Sequence, residues 1–372
     1  MLDPQITDDL RTEIRQRIAS EQNILQHMRD QVRPLRAKTQ RIHPRSATSI
    51  SLVGTDGGNN QIAYDPFMVQ LIRVVDSSQN ELWLETVTPT TSTKELNKRH
   101  LNADGTPKSV LGRMMKYLQV SGLEDLSPVF KKEGADRSPS WIQEYRGMVE
   151  WAILFSLVRE KDYGSDVLIV RDGPLREKMF QSGLFRAFQQ GLVEGIDEQF
   201  RKNRRRIYIA GIVKHSKFLQ RYRLSMALEG VMRNRFPCFV EVDVNVAKDV
   251  YRWSEWLTGG GEKEGFAAGR MYLVKFGSGE RDPIWVADIF EPQASAAPTI
   301  FGYLLADAID GFPVPFYPQC LQKAHEGAAL VDFDMDILQE GIMSALRDSL
   351  GANKWIIDEL SLTDRDPTRT RY

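Results

Sequence analysis

Two short apolar runs, separated by a helical pattern, constrain the fold of this chain more than any other feature. Residues 167–170 read Val-Leu-Ile-Val, and residues 207–213 read Ile-Tyr-Ile-Ala-Gly-Ile-Val. The helical pattern between them covers residues 184–200. Apolar runs of this length are typical of strands that helices cover on both faces. The chain is therefore predicted to be an α/β protein.

The segments before these runs predict three consecutive strands. The first begins near residue 49 and leads into a polar, glycine-rich turn at residues 55–60. Residues 67–75 and 81–87 are rich in β-forming side chains, and residues 76–80 between them are typical of a hairpin loop. Helical patterns at residues 141–159 and 216–228 complete the predicted order β-β-β-α-β-α-β-α.

The two ends of the chain have different patterns. Residues 5–38 predict an amphipathic helix, which either packs on the body of the protein or docks another subunit. Towards the C-terminus we expect strands at residues 238–244, 271–276 and 284–289, a flexible loop at 259–265, and helices at 295–310, 318–328 and 335–350. Gly351 is typical of a helix end.

These patterns suggest a division of the chain. We expect an N-terminal helical arm over residues 1–45, a main domain over residues 46–351 and a tail over residues 352–372. Within the main domain, the core covers about residues 49–228, a helical insertion about residues 94–140, and an α+β extension residues 229–351.

The composition excludes several classes of protein. The 372 residues are 42% hydrophobic and 27% charged, which is typical of a globular chain. With 49 basic and 50 acidic residues, any attraction to nucleic acid or membrane must be local. Cys238 and Cys320 fit neither a zinc site nor a disulfide framework, and we expect both to be buried. Since no signal peptide or membrane-spanning run is visible, we expect a cytoplasmic protein without membrane contact.

Three acids follow the predicted elements in a specific order. Asp56 follows the first strand, Glu150 lies on the helix after the third, and Asp172 ends the fourth. Carboxylates from three elements can hold the two divalent ions that assist phosphodiester cleavage. This order resembles the layout of ribonuclease-H-like nucleases. Glu144 on the same helix is an alternative ligand, and Glu150 has Arg146 four residues before it as a possible ion-pair partner.

Four blocks of the sequence resemble the NurA nuclease family. They are residues 54–59 (GTDGGN), residues 167–175 (VLIVRDGPL), residues 209–217 (IAGIVKHSK), and Phe316-Tyr317-Pro318 followed by His325. The blocks occur in matching order over residues 49–334. Gly58 stands where the family commonly has serine, so no hydroxyl is available there.

The resemblance implies a fold and a set of functional residues. The fold would be a ribonuclease-H-like mixed sheet flanked by helices, and Asp56, Glu150 and Asp172 would bind Mn²⁺ or Mg²⁺, with two ions the expected number. Tyr317 and His325 would complete the site. Independently, the imidazole of His325 can ligate a metal or accept a proton from attacking water.

The resemblance also implies an activity and partners. The activity would be that of a DNA exonuclease, and possible endonuclease, in repair or in defence against foreign DNA. The partners would be DNA, a second copy of the chain, and a hexameric HerA-type ATPase. The chain itself contains no Gly-x-x-x-x-Gly-Lys-Ser/Thr motif for binding ATP phosphates, so a motor would have to be another chain.

A basic run supplies local positive charge. It comprises Arg201, Lys202, Arg204, Arg205 and Arg206, continues through Lys214 and Lys217, and contains no acid up to residue 223. Such a run can neutralise DNA phosphates, and we favour this interpretation over a solvated helix end because the run flanks the strand next to the proposed site. Lys214, at the end of a predicted strand, is our candidate for a contact with the scissile or adjacent phosphate.

Two rival functions remain open. A non-catalytic nucleic-acid-binding or assembly subunit would keep the fold without the chemistry, but the intact set of acids argues against it. Paired carboxylates also serve glycoside hydrolysis, but that function would leave the basic run unexplained.

Overall fold

The structure is a computed structural model, and it describes nine stretches of the chain. These are residues 4–46, 50–64, 67–134, 137–138, 140–177, 179–181, 183–252, 267–329 and 332–351. The predicted loop at residues 259–265 and the tail at residues 352–372 lie outside the described residues. The predicted division into domains stays a prediction.

Nine strands in the described part of the chain form one mixed sheet. Its spatial order is β1-β7-β8-β9-β6-β5-β2-β3-β4. The strands are β1 (Gln40–Arg41), β2 (Ile50–Tyr64), β3 (Phe67–Asp76), β4 (Glu81–Val87), β5 (Asp166–Asp172), β6 (Ile207–Val213), β7 (Cys238–Glu241), β8 (Gly269–Lys275) and β9 (Trp285–Phe290).

Helices flank this sheet, and none of those described is long and apolar enough to cross a membrane. They are α1 (Pro4–Ser20), α2 (Gln22–Lys38), α3 (Thr93–His100), α4 (Val110–Tyr117), α5 (Leu123–Leu126), α6 (Trp141–Arg159), α7 (Leu184–Asn203), α8 (Lys217–Glu229), α9 (Val244–Arg252), α10 (Ala297–Ala308), α11 (Gln319–Ala328) and α12 (Asp332–Leu350). Short 3₁₀ helices lie at Pro128–Lys131 and Glu291–Ala296.

One half of the sheet confirms the predicted fold class. Strands β2, β3 and β4 form an antiparallel meander, and β5 and then β6 add to β2 in parallel. Helix α6 lies between β4 and β5 in the chain, and α7 lies between β5 and β6. An antiparallel meander whose first strand is extended by two parallel strands is the ribonuclease-H-like arrangement. Strands β7, β8 and β9 extend it with antiparallel pairs beside β6.

The two apolar runs are buried on both faces, as predicted. Side chains alternate along a strand. Val167 and Ile169 therefore join the core formed with α6 and α7, whereas Leu168 and Val170 join the core formed with α10 and α11. Helices consequently cover both faces of these strands.

The N-terminal arm is helical, as predicted, but it is divided into α1 and α2 at Glu21. Val32 and Leu35 of α2 are buried in the core that includes α8. Two arginines of the same helix contact Glu229 at the end of α8. Helix α1 instead exposes large apolar side chains, namely Leu10, Ile14 and Ile18. Half of the arm thus packs on the body, and the predicted docking role of the other half stays a prediction.

The predicted strand at residues 238–244 is wrong in its second half. Strand β7 ends at Glu241, and α9 begins at Val244. Val246, Ala247 and Val250 are buried against the same core as α8. These positions share one side of a helix, and packing of that side decides the local structure.

Candidate metal centre

Asp56 lies inside β2 and not in a turn. The sequence predicted that residues 55–60 form a turn, and this prediction is wrong, because β2 continues to Tyr64 and Asp56 pairs with Val75 of β3. The glycines are explained by close packing instead. A Cβ atom on Gly57 would collide with the carboxylate of Glu150, and one on Gly58 would collide with the backbone of α11.

Asp172 lies next to Asp56 because of the strand register. Strands β2 and β5 are parallel, and their pairing ends at Thr55 opposite Arg171. Asp56 and Asp172 are the next residues on each strand. Neighbouring strands are about 4.8 Å apart, so two carboxylates on the same face come close together.

His325 reaches the two acids from α11. This helix packs so closely on β2 that a side chain on Gly54 or Gly58 would collide with the backbone of α11. The Nδ1 atom of His325 lies 2.6 Å from Oδ2 of Asp56. One donor atom from each of Asp56, Asp172 and His325 lies within 4.8 Å of the others. We call these three residues the Asp-Asp-His cluster.

Lys214 and Tyr317 both contact Asp172. The ammonium of Lys214 lies 2.7 Å from Oδ2, and the hydroxyl of Tyr317 donates to Oδ1 at 3.3 Å. Burial and the nearby Asp56 raise the pKa of Asp172, and Lys214 opposes this shift. Burial also raises the pKa of Tyr317 well above its usual value, so its phenol stays protonated as a donor. Two predicted residues thus support the second acid.

Glu150 approaches from the opposite face of the sheet, where α6 packs. Its carboxylate lies 2.9 Å from Nη2 of Arg171 and 3.3 Å from Nε of Arg146. Burial raises the pKa of Glu150, while the two arginines lower it. Glu150 is not one of the three groups within 4.8 Å of one another. The structure thus groups three of the four predicted ligands and holds the fourth against two arginines.

The alternative helix acid, Glu144, lies farther along α6. It is in the first turn of the helix and accepts a hydrogen bond from Ser140 at 3.2 Å. Six residues of helix separate it from Glu150, which corresponds to about 9 Å. The pKa of Glu150 is affected by Asp56 and Asp172. The geometry therefore favours Glu150 as the helix acid nearest the cluster.

The donors of the Asp-Asp-His cluster fit a divalent ion. Carboxylates suit Mg²⁺ and Mn²⁺, and imidazole is a common ligand of transition metals. The carboxylates of Asp56 and Asp172 repel each other, and Lys214 is a cation in direct contact with one of them. A divalent ion between the two carboxylates would offset their mutual repulsion.

The basic run divides between the two ends of β6. Lys214 follows this strand on the side of the cluster, and the exposed Lys217 begins α8 nearby. Arg201 to Arg206 instead precede β6 at its other end, where Arg206 donates its backbone N–H to Asp166. The seven residues of β6 span about 23 Å. The structure thus brings Lys214 and Lys217, and not Arg201 to Arg206, to the end of β6 that lies beside the cluster.

Two residues of this region, Arg171 and Trp285, contact the site although no sequence pattern predicted a role for them. Arg171 links Glu150 to the loop after Asp172, since its Nη1 atom donates to the carbonyl oxygen of Pro174 at 2.9 Å. The indole of Trp285 packs edge-on against Tyr317, with ring centroids 4.9 Å apart. Arg171 belongs to residues 167–175, one of the blocks that resemble the NurA family. Its charge next to Asp172 was the signal in the sequence that could have pointed to its role.

The cysteines behave as expected. Cys238 and Cys320 are free and buried.

Comparison with known proteins gave matches among solved structures. No protein-family model and no curated protein matches the chain. The chain is similar in structure to NurA nucleases. The NurA nuclease from Sulfolobus solfataricus gives a TM-score of 0.45 at 13% identity, covering 94% of this chain and 98% of that one. A second NurA structure gives 0.40 at 14% identity, covering 93% and 98%. NurA bound to dAMP and manganese gives 0.36 at 12% identity, covering 88% and 94%.

Proposed function

We propose that this chain is a metal-dependent DNA nuclease of the NurA kind. The observation that carries the proposal is the Asp-Asp-His cluster, which lies where the parallel pairing of β2 with β5 ends in a ribonuclease-H-like sheet. Asp56, Asp172 and His325 would hold Mn²⁺ or Mg²⁺, with Glu150 as a further acid beside them. Bound divalent ions would stabilise charge on the phosphate and activate water.

The remaining residues of the site have roles that follow from their contacts. Tyr317 donates to Asp172 and so holds this carboxylate in one orientation. Lys214 balances the charge of Asp172 and is the cation best placed to meet a substrate phosphate. Because Nδ1 of His325 faces Asp56, the Nε2 atom is the one left to accept a proton or bind a ligand.

The finer function rests on the resemblance of the sequence blocks. We propose that the enzyme is a cytoplasmic exonuclease that processes DNA ends as a homodimer together with a HerA-type hexameric ATPase. Repair and defence against foreign DNA are both compatible with this activity. The rival function, a binding or assembly subunit without catalysis, is disfavoured because Asp56 and Asp172 meet within reach of one ion.

A direct cleavage assay tests the proposal. Purified protein is incubated with end-labelled linear DNA and with circular DNA, in Mn²⁺, Mg²⁺ or EDTA. We expect degradation of the linear substrate in a divalent metal and none in EDTA. Absence of cleavage in every metal, with DNA binding retained, would favour the non-catalytic subunit.

The same assay identifies the helix acid. We expect Glu150→Gln to lose cleavage and Glu144→Gln to retain it, because Glu150 is the acid that lies beside Gly57 and the cluster. The reverse result would mean that the acid of α6 was assigned wrongly, while the metal mechanism would stand.

A further inference from the structure

The loop between α10 and α11 exposes a compact apolar tip. Three large side chains within six residues are open to solvent: Ile309 is 57% exposed, Phe312 77% and Val314 39%. Single exposed apolar residues are normal, but a group of them on one loop marks an interaction site. We call residues 309–316 the Phe312 loop.

The Phe312 loop is held rigidly by two glutamine side chains of α11. Oε1 of Gln319 accepts the backbone N–H of Phe312 at 3.0 Å, and Oε1 of Gln322 accepts that of Val314 at 2.8 Å. The amide nitrogen of Gln322 also donates to the carbonyl oxygen of Tyr317 at 2.9 Å. Phe312 is therefore exposed on a fixed backbone, and ordering it on binding costs little conformational entropy.

The loop lies at the same edge of the sheet as the cluster. The carbonyl of Phe316 accepts a hydrogen bond from the indole of Trp285 at 2.7 Å, and Trp285 begins β9 beside the end of β6. A Cβ atom on Gly311 would lie 2.5 Å from the carbonyl oxygen of Tyr317. Phe312 therefore follows Gly311, which lies against the backbone of Tyr317. The hydroxyl of Tyr317 in turn donates to Asp172.

We propose that Phe312 stacks on an unpaired base of the DNA strand whose phosphate occupies the cluster; this inference rests on the proposed function. The tip presents one aromatic ring, flanked by two exposed aliphatic side chains, Ile309 and Val314. One aromatic ring is enough to stack on one base, and every base presents an aromatic face. Lys214 lies on the same edge, so a phosphate contact and a base contact would be available to one strand.

Binding of single-stranded DNA without metal tests this proposal. Affinity is measured in EDTA, so cleavage does not interfere. We expect Phe312→Ala to weaken binding about five- to hundredfold, which corresponds to about 1–3 kcal/mol, and Phe312→Trp to restore it. The matched control is Val244→Ala, because Val244 is an exposed apolar residue that follows β7 at the opposite edge of the sheet. This control should bind as the wild type does.

A scan with abasic nucleotides separates stacking from a structural effect. Wild-type protein should lose affinity when one particular base is removed, and Phe312→Ala should be insensitive to that removal. If wild-type protein binds DNA but Phe312→Ala binds equally well, the stacking proposal is wrong and the proposed function stands. If Phe312→Ala loses binding only to a protein partner, the tip is a protein contact. If the wild type binds no DNA, the proposed function fails as well.

Discussion

Arg171 of β5 should contribute more to the free energy of unfolding than Arg159 of α6, because Arg171 forms a buried ion pair beside the candidate site. Its side chain is 9% exposed, and its guanidinium links β5 to α6 and to the loop after Asp172. It pairs with Glu150 at 2.9 Å, donates to the carbonyl oxygen of Pro174 at 2.9 Å, and lies 4.7 Å from the ring centre of Trp151. Arg171→Met keeps most of the apolar volume but removes every one of these polar contacts.

The size of the effect follows from the burial of the pair. Removing one partner of a buried ion pair costs about 3–5 kcal/mol, because it leaves a charge without compensation. The side chain of Glu150 is 12% exposed and keeps Arg146 as a second partner at 3.3 Å. We therefore expect a loss at the lower end of that range, about 3 kcal/mol of the free energy of unfolding.

Arg159 provides a matched control on α6. It too lies over an aromatic ring, 4.5 Å from the centre of Tyr117, and donates to a backbone carbonyl, that of Gly191, at 2.7 Å. Its acidic partner Glu194 is 3.4 Å away and 47% exposed. Since exposed ion pairs contribute at most about 1 kcal/mol, Arg159→Met should cost about 1 kcal/mol.

The decisive measurement is a double-mutant cycle between Arg171 and Glu150. Unfolding by urea is followed at pH 7 in EDTA, so that metal binding does not contribute to stability. Adding Glu150→Gln to Arg171→Met removes the unpaired charge and should recover about 2 kcal/mol, within the range of couplings for residues in contact.

Two results would refute this reasoning. One is an Arg171→Met protein no less stable than Arg159→Met. The other is a double variant whose loss of unfolding free energy equals the sum of the two single losses, since Glu150 and Arg171 would then contribute to stability independently.

The remaining predictions concern the cluster, the basic run and the arm. Asp56→Asn and Asp172→Asn should each abolish cleavage and leave DNA binding largely intact in a filter-binding assay; activity within a few-fold of the wild type would contradict the metal site. Replacing residues 204–206 by alanine should lower the salt dependence of DNA binding by up to about one unit per lost phosphate contact, whereas an unchanged slope would assign them to solvent. A chain starting at Arg45 should lose dimerisation or coupling to a HerA-type ATPase, as measured by mass in solution and nuclease rate; an unchanged mass and rate would exclude the arm from both. Two arginines of α2 lower the pKa of Glu229 to about 2. Their stabilisation is therefore present above pH 4.5 and is lost as the pH falls towards 2, so the urea midpoints of the wild type and Glu229→Gln should converge at low pH; a constant difference would contradict the pairing.

Local pattern was sufficient for most of the secondary structure. The runs at residues 167–170 and 207–213 predicted strands correctly because they are apolar on both faces, and both faces are in fact covered. The pattern at residues 141–159 gave the bounds of α6 as they occur. These features depend on side-chain periodicity, which is a property of the sequence alone.

Residue types that favour turns led to a wrong prediction at residues 55–60, which lie within β2. Glycine and asparagine favour a turn when only neighbours in the chain are considered. In the folded protein, six residue pairs with β3 keep this segment extended, and its glycines make room for Glu150 and for α11. No local signal distinguishes a glycine needed for a turn from a glycine needed for close packing.

For the site, the sequence by itself determined which residue types are present, and it placed Glu150 on a helix and Asp172 at a strand end, as they occur. Asp56, Asp172 and His325 were predicted from their residue types and the resemblance, and Tyr317 from the resemblance alone; the structure brings these four residues together. Only the tertiary structure decided that Glu150 approaches from the opposite face, against Arg171, and that Arg201 to Arg206 lie at the far end of β6. Strand direction and the face that a side chain occupies depend on how distant elements pair, and the order of residues along the chain does not specify that pairing.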